Sequence, residues 1–314
     1  MMVAKNKSNM VKRGAPKPKD AGKYIDPRTD FGFKRLFGDK ELMIAFLNSV
    51  LDIKNGIVDL EYQNTVRTGV AKGDRAIIFD LYCSTGIGEH IIVEMQIMQY
   101  ENYMDRVVYY ASRLIQQLGK KGKDWDYELP SVFSVNIVDF KLDKESQTEN
   151  YLSKIQLMNV ESKEVCYDKL SLLFLELPRF TKEENNLKTN VDKWMFALKH
   201  LPKFKNKPKK LGDKVFTKLF ELAKIAKMTD QQQTDYYKSL HDMSLVKIQF
   251  GKMESTIAQQ GNIIAQQDNT ITVLQKEIEE YRRRYGALDG TIAKPTHTTK
   301  VRSRNSADSH HLMV

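Results

Sequence analysis

Two apolar stretches with a short polar one between them constrain this chain most: residues 75–83 read RAIIFDLYC and residues 90–96 read HIIVEMQ. Both are rich in β-branched and aromatic side chains, and the STGIGE between them carries turn residues, so the segment predicts a β-hairpin. Side chains alternate between the two faces of a strand. In the first arm Ile78, Asp80 and Tyr82 share one face, with Ile77, Phe79, Leu81 and Cys83 on the other. In the second arm Ile92, Glu94, Gln96 and Met98 share a face, and Ile91, Val93, Met95 and Ile97 form an unbroken apolar face opposite.

Folding the hairpin about Ile87 sets Asp80 opposite Glu94. Directly opposed strand residues lie about 5 Å apart, and like charges there repel. Two carboxylates in so apolar a strand pair call for a compensating cation or a proton. A divalent metal is the simplest such cation. Hard ions such as Mg²⁺ take oxygen ligands, keep several waters, and are held by one or two carboxylates plus substrate phosphate. Gln96, on the face of Glu94, is placed to hydrogen-bond a metal-bound water or a phosphate oxygen. The competing reading is a hairpin with one solvated face, on which both acids are ordinary surface groups. A register slip of one residue would separate them.

An aspartate closing an apolar strand, then Glu-x-Gln in the next, resembles the PD-(D/E)XK nuclease core in its Glu-x-Gln variant. Three further stretches narrow the resemblance: DFGFKRLFG from Asp30 to Gly38, YQNTV from Tyr62 to Val66, and a helix bearing Arg106, Tyr109 and Tyr110. Over residues 24–140 the chain looks like the Rpn family of recombination-promoting nucleases, also called PD-(D/E)XK nuclease family transposases. The resemblance implies an α/β fold with a restriction-endonuclease-like core, a mixed central sheet flanked by helices. It implies a metal-dependent DNA endonuclease that hydrolyses phosphodiester bonds and is linked to recombination or transposition. On that reading Asp80 and Glu94 bind Mg²⁺ or Mn²⁺, Gln96 orients the attacking water, and Asp30 is a third acidic member. Gln96 stands where the commoner form of the motif has a lysine and supplies no charge; Lys34, Lys72 or Arg75 would bring it from elsewhere.

Arg106, Tyr110 and Arg113 follow one another by helical steps, so they line one edge of a helix. Arg106 is suited to clamp a phosphate through two parallel N–H donors; the plainer reading is an exposed arginine paired with Asp105 or Glu101. Lys34, Arg75 and Tyr110 complete the expected substrate contacts. Asp30 has a plain role too, as a helix N-cap worth about 1 kcal/mol.

The net charge of +10 suggests a polyanionic partner, but its location matters. Residues 1–23 carry +6 and residues 291–314 carry +3, which leaves about +1 for everything between. Basic ends of this kind bind nucleic acid without sequence preference or are simply solvated termini. Two cysteines, Cys83 and Cys166, make neither a disulfide framework nor a zinc site. No run is apolar enough to span a membrane, and no secretory signal is read at the start, so a cytoplasmic protein is expected. Gly-rich phosphate loops, a G-x-S-x-G elbow and an H-E-x-x-H pattern are all missing from the sequence.

The chain divides by pattern into a basic tail (1–23), the nuclease-like domain (24–180), a helical region (186–245), a coiled-coil-like helix (246–286) and a polar tail (287–314). Strands are expected over 57–66, 131–138, 155–159 and 170–177, and a helix over 101–118. In the last helix Phe250, Ile257, Ile264, Ile271, Ile278 and Tyr285 recur every seven residues. Met253, Gln260, Gln267, Leu274 and Tyr281 fall at the companion position. Such a seam predicts a homodimer through this helix; packing back onto the body is the alternative. Between the helices, Lys199, Lys203, Lys205, Lys207, Lys209, Lys210 and Lys214 form a basic cluster that either tracks a phosphate backbone or is a solvated loop. Two other functions compete with a DNA endonuclease: a nuclease-derived DNA-binding or oligomeric interaction protein without activity, and a ribonuclease.

Overall fold

The computed structural model describes residues 22–67, 77–120, 122, 125–146 and 148–286. The chain divides into two units, Met1–Gly251 and Lys252–Val314.

The first unit opens with two short helices, α1 (Asp30–Phe37) and α2 (Lys40–Val50). Thr29, not Asp30, caps α1: its side chain accepts the Gly32 N–H, and Asp30 is the first helical residue. Gly32 has a steric reason, since a Cβ there would lie 2.1 Å from the Asp26 carbonyl oxygen. Asp39 caps α2 by accepting the Leu42 N–H at 3.1 Å. Along the two helices Phe33, Leu36, Phe37, Phe46 and Leu47 are all buried.

The expected first strand is split in two. β1 (Leu60–Tyr62) joins the main sheet, whereas β2 (Val66–Arg67) pairs with β3 (Ile77–Ile78) in a separate small ladder. The Asn64 side chain takes the Val66 N–H at 2.9 Å and turns the chain between them. The hairpin proper is β4 (Leu81–Thr85) and β5 (His90–Gln96), antiparallel, with Leu81 opposite Val93 and Ser84 opposite His90. A bend at Asp80 separates β3 from β4. It corrects the simple alternation: Phe79 packs with Tyr82, Ile77 and Ile92, not with Cys83, and Ile78 is exposed.

α3 (Tyr103–Leu118) follows, then β6 (Val132–Val138), which runs parallel to β5 and completes a β–α–β crossover. Every residue of β6 is buried, as expected of a central strand covered on both faces. β7 (Leu152–Met158) lies antiparallel to β8 (Val165–Glu176), and β8 is parallel to β6. The sheet order is therefore β1-β4-β5-β6-β8-β7, a mixed α/β sheet. α3 covers one face through Val107, Ala111 and Leu114. The other face is covered by α1, α2, α4 (Asn190–His200) and α5 (Lys214–Ala223), packed around Trp194, which touches Phe37, Phe46 and Phe216.

The last helix, α6, runs from Asp230 to Tyr285, so the coiled-coil-like helix expected from residue 246 begins sixteen residues earlier. Its early residues Tyr236 and Tyr237 join the main core. In the second unit every described residue of the helix is exposed, including Ile257 (64%), Ile264 (57%), Ile271 (50%) and Ile278 (50%).

Candidate active site

The site lies where the β4–β5 ladder stops. Leu81 and Val93 are its last backbone pair, and the next residues in register are Asp80 and Glu94. Here side chains take over from backbone. Asp80 Oδ2 accepts the Met95 N–H at 2.9 Å, and Glu94 Oε1 accepts the Asp80 N–H at 3.2 Å. Both carboxylates are thus held by backbone donors and both are half-buried.

Their electrostatics follow from that placement. Burial pushes the Asp80 carboxyl above its usual range, the Met95 N–H works against the rise, and the Asp30 charge adds to it. Burial, then the charge of Asp80, holds Glu94 well above the carboxylate range. Arg106 and Lys34 pull both back down. The two acids therefore share one electrostatic site, in which each makes the other harder to ionise.

Other residues assemble around them. Arg106, on α3, lies half-buried with its guanidinium 5.0 Å from the Tyr110 ring centre. Burial works against its charge, while Tyr110 and the nearby charge of Glu94 favour it. Glu94, Gln96, Tyr103, Arg106, Tyr110, Ser134 and Asn136 line a recess of about 10 Å³, about the space of one water. Gln96 Nε2 donates to the Met98 carbonyl at 3.0 Å. On the other side Asp80 and Gln96 open onto a cleft of about 510 Å³ shared with Asp30. Asp30 is exposed there and pairs with Lys34 at 2.6 Å. Arg75 and Lys72 lie outside the described residues.

Several groups at the site carried no sequence signal. Arg28 grips Asp26 through Nε at 2.9 Å and Nη2 at 2.7 Å, and reaches Asp139 at 3.1 Å. Asp139 follows β6, and its N–H donates to the Gln96 carbonyl at 2.9 Å. Asn136 stands beside Glu94 in register, and its amide donates to Ser134 and to the Leu173 carbonyl. The lysines 199–214 are partly absorbed by structure: Lys199 donates to the Phe180 carbonyl at 2.6 Å, and Lys207 to Thr217 at 2.6 Å. Among the described residues no group of three or more His, Cys, Asp or Glu side chains is arranged to hold a metal ion. None of the described helices is long and apolar enough to cross a membrane.

A family model described as PD-(D/E)XK nuclease family transposase matches residues 27–247. No curated protein matches the chain, and no solved structure does.

Proposed function

The chain belongs to the PD-(D/E)XK nuclease family transposases, and from that premise we propose that it is a metal-dependent endonuclease that hydrolyses phosphodiester bonds in DNA. The observation that carries the reading is the pair Asp80 and Glu94, two half-buried carboxylates held beside each other by backbone donors at 2.9 and 3.2 Å. Burial and mutual repulsion make the ionised pair costly, and structural needs alone would be met by apolar residues there. Hard carboxylate oxygens suit Mg²⁺ or Mn²⁺, for which two such ligands suffice when water and phosphate supply the rest. Asp80 and Glu94 would hold the ion. Such an ion, when bound, polarises the scissile phosphate and lowers the pKa of water.

The chain's own groups divide the remaining work. Gln96, with its amide N–H₂ on the Met98 carbonyl, turns its oxygen to accept from the attacking water and orient it. Arg106, stacked on Tyr110, donates to a phosphate oxygen and favours the ionised form of Glu94. Lys34 lends positive charge through its pair with Asp30, which lines the cleft and is the third acidic group. The exposed isoleucine seam of residues 252–285 pairs with a second copy of the chain, as a heptad helix does in water. Nicking of supercoiled plasmid, which offers both duplex and locally melted strand, tests the activity. Wild type with Mg²⁺ is expected to nick and Glu94→Ala to be inert; equal nicking by both would refute the assignment.

A further inference from the structure

The first part of α6 is built into the site's surroundings. Tyr236 Oη accepts the Asp26 N–H at 3.0 Å, just ahead of α1, and Ser239 Oγ accepts the Phe31 N–H at 3.2 Å in its first turn. Further along, Lys247 Nζ reaches Asp139 at 3.1 Å, just past the end of β6. Phe250 meets Tyr100 edge-on at 5.6 Å, just before α3. At 1.5 Å per residue, the helix from Tyr236 to Phe250 is about 21 Å long. It runs as a bar from the start of α1, past the ends of β5 and β6, to the start of α3. Between its ends Lys238, Asp242, Met243 and Val246 face Asp80 and Gln96 across the 510 Å³ cleft.

We propose that this bar makes the site a single-strand site: it accepts one DNA strand, or the unpaired branch of a DNA junction, and excludes duplex. The inference rests on the nuclease reading above and names its substrate class. A cleft of this volume suits a drug-sized group, on the scale of about one or two nucleotides. The second strand of a duplex would need space that α6, about 10 Å across, already fills. The cleft's chemistry agrees. Lys238 is exposed, with no hydrogen bond or ion pair among the described residues, and is available to one phosphodiester. Met243 and Val246 offer a base an apolar surface, together with Phe31.

The test measures binding apart from cleavage. Asp80→Asn keeps the acceptor for the Met95 N–H and stops turnover. Its affinity for a labelled DNA oligonucleotide, single-stranded or as a blunt duplex, is read by fluorescence anisotropy at fixed salt. Single strand is expected to bind at least about tenfold tighter. Adding Lys238→Glu is expected to remove that advantage and to leave duplex binding, which runs through the basic chain ends, within about twofold. Wild type with Mg²⁺ should cut single strand and a flapped duplex but not the blunt duplex. Loosening the bar with Lys247→Ala and Phe250→Ala should then admit it. Duplex bound as tightly as single strand, with Lys238→Glu weakening both alike, overturns the proposal, as does equally fast cutting of blunt duplex. Single-strand preference that depends on Lys238, with no substrate cleaved, refutes the nuclease reading and upholds the cleft. Duplex cleavage without the preference does the reverse.

Discussion

Replacing Glu94 by glutamine should make the metal-free protein more stable at neutral pH while destroying its site. The amide keeps an oxygen for the Asp80 N–H, now 3.2 Å from Glu94 Oε1, so the hydrogen bond survives and only the charge is lost. Two carboxylates about 5 Å apart repel by about 3 kcal/mol at an effective dielectric near 20. Arg106 and Lys34 offset part of this, leaving an expected gain of about 1–2 kcal/mol. The sign follows from linkage. Burial and Asp80 raise the carboxyl of Glu94 in the folded protein. Wild-type stability is therefore fully present below the unfolded glutamate value of about 4.3 and is lost as pH rises through the raised folded value. Glutamine has no such loss, so the gap between the two proteins opens above about pH 4.3 and levels off once the folded carboxyl has ionised. Urea denaturation in EDTA, at steps from about pH 4 to about pH 8, measures it. A variant less stable than wild type at neutral pH, or a gap independent of pH, would refute the reasoning.

Asp80→Asn should abolish Mg²⁺-dependent cleavage, a loss of several kcal/mol of charge stabilisation, while DNA binding measured by gel shift persists. Millimolar Mg²⁺ should raise the thermal midpoint of wild type but not of Glu94→Gln, because only a bound ion stabilises the folded state by mass action. Arg106→Ala removes a cation that holds the Glu94 carboxyl down, so the acid limb of the pH–rate profile should move to higher pH; an unmoved limb would separate Arg106 from Glu94. Deleting residues 252–285 should turn a dimer into a folded monomer by sedimentation equilibrium, since each seam isoleucine buried is worth about 1.5–3 kcal/mol; a full-length monomer at micromolar concentration would remove the dimer.

The hairpin was legible because strand alternation and the turn residues fix its register: pairing Leu81 with Val93 leads directly to Asp80 opposite Glu94. The helix bearing Arg106 and the buried strand at 132–138 were equally plain, since both have strong apolar periodicity. Local backbone chemistry set the limits elsewhere. The bend at Asp80 reverses the side that Phe79 faces, and alternation has no means of seeing a bend. The turn at Asn64 splits what reads as one strand. At α1, Thr29 and Asp30 are both good capping residues, and only the Gly32 contact with Thr29 decides between them. α6 read as two segments, meeting between residues 245 and 246, because the heptad repeat is visible only from Phe250 on, whereas the helix itself runs unbroken from Asp230 to Tyr285. Least legible was the far wall of the cleft. The Arg28–Asp139 and Lys247–Asp139 pairs join residues 111 and 108 positions apart, and no local pattern announces such contacts.

The handover from backbone to side chain at the end of the β4–β5 ladder turns two amides into reporters. The Met95 proton points at the Asp80 carboxylate and the Asp80 proton at Glu94. Each hydrogen bond strengthens or weakens as its acceptor gains or loses charge. In an amide spectrum these two resonances would therefore follow the charge state of each acid separately, with no label and no substrate. A pair of titrating acids normally yields only shared, macroscopic constants; here the fold has wired each one to its own amide.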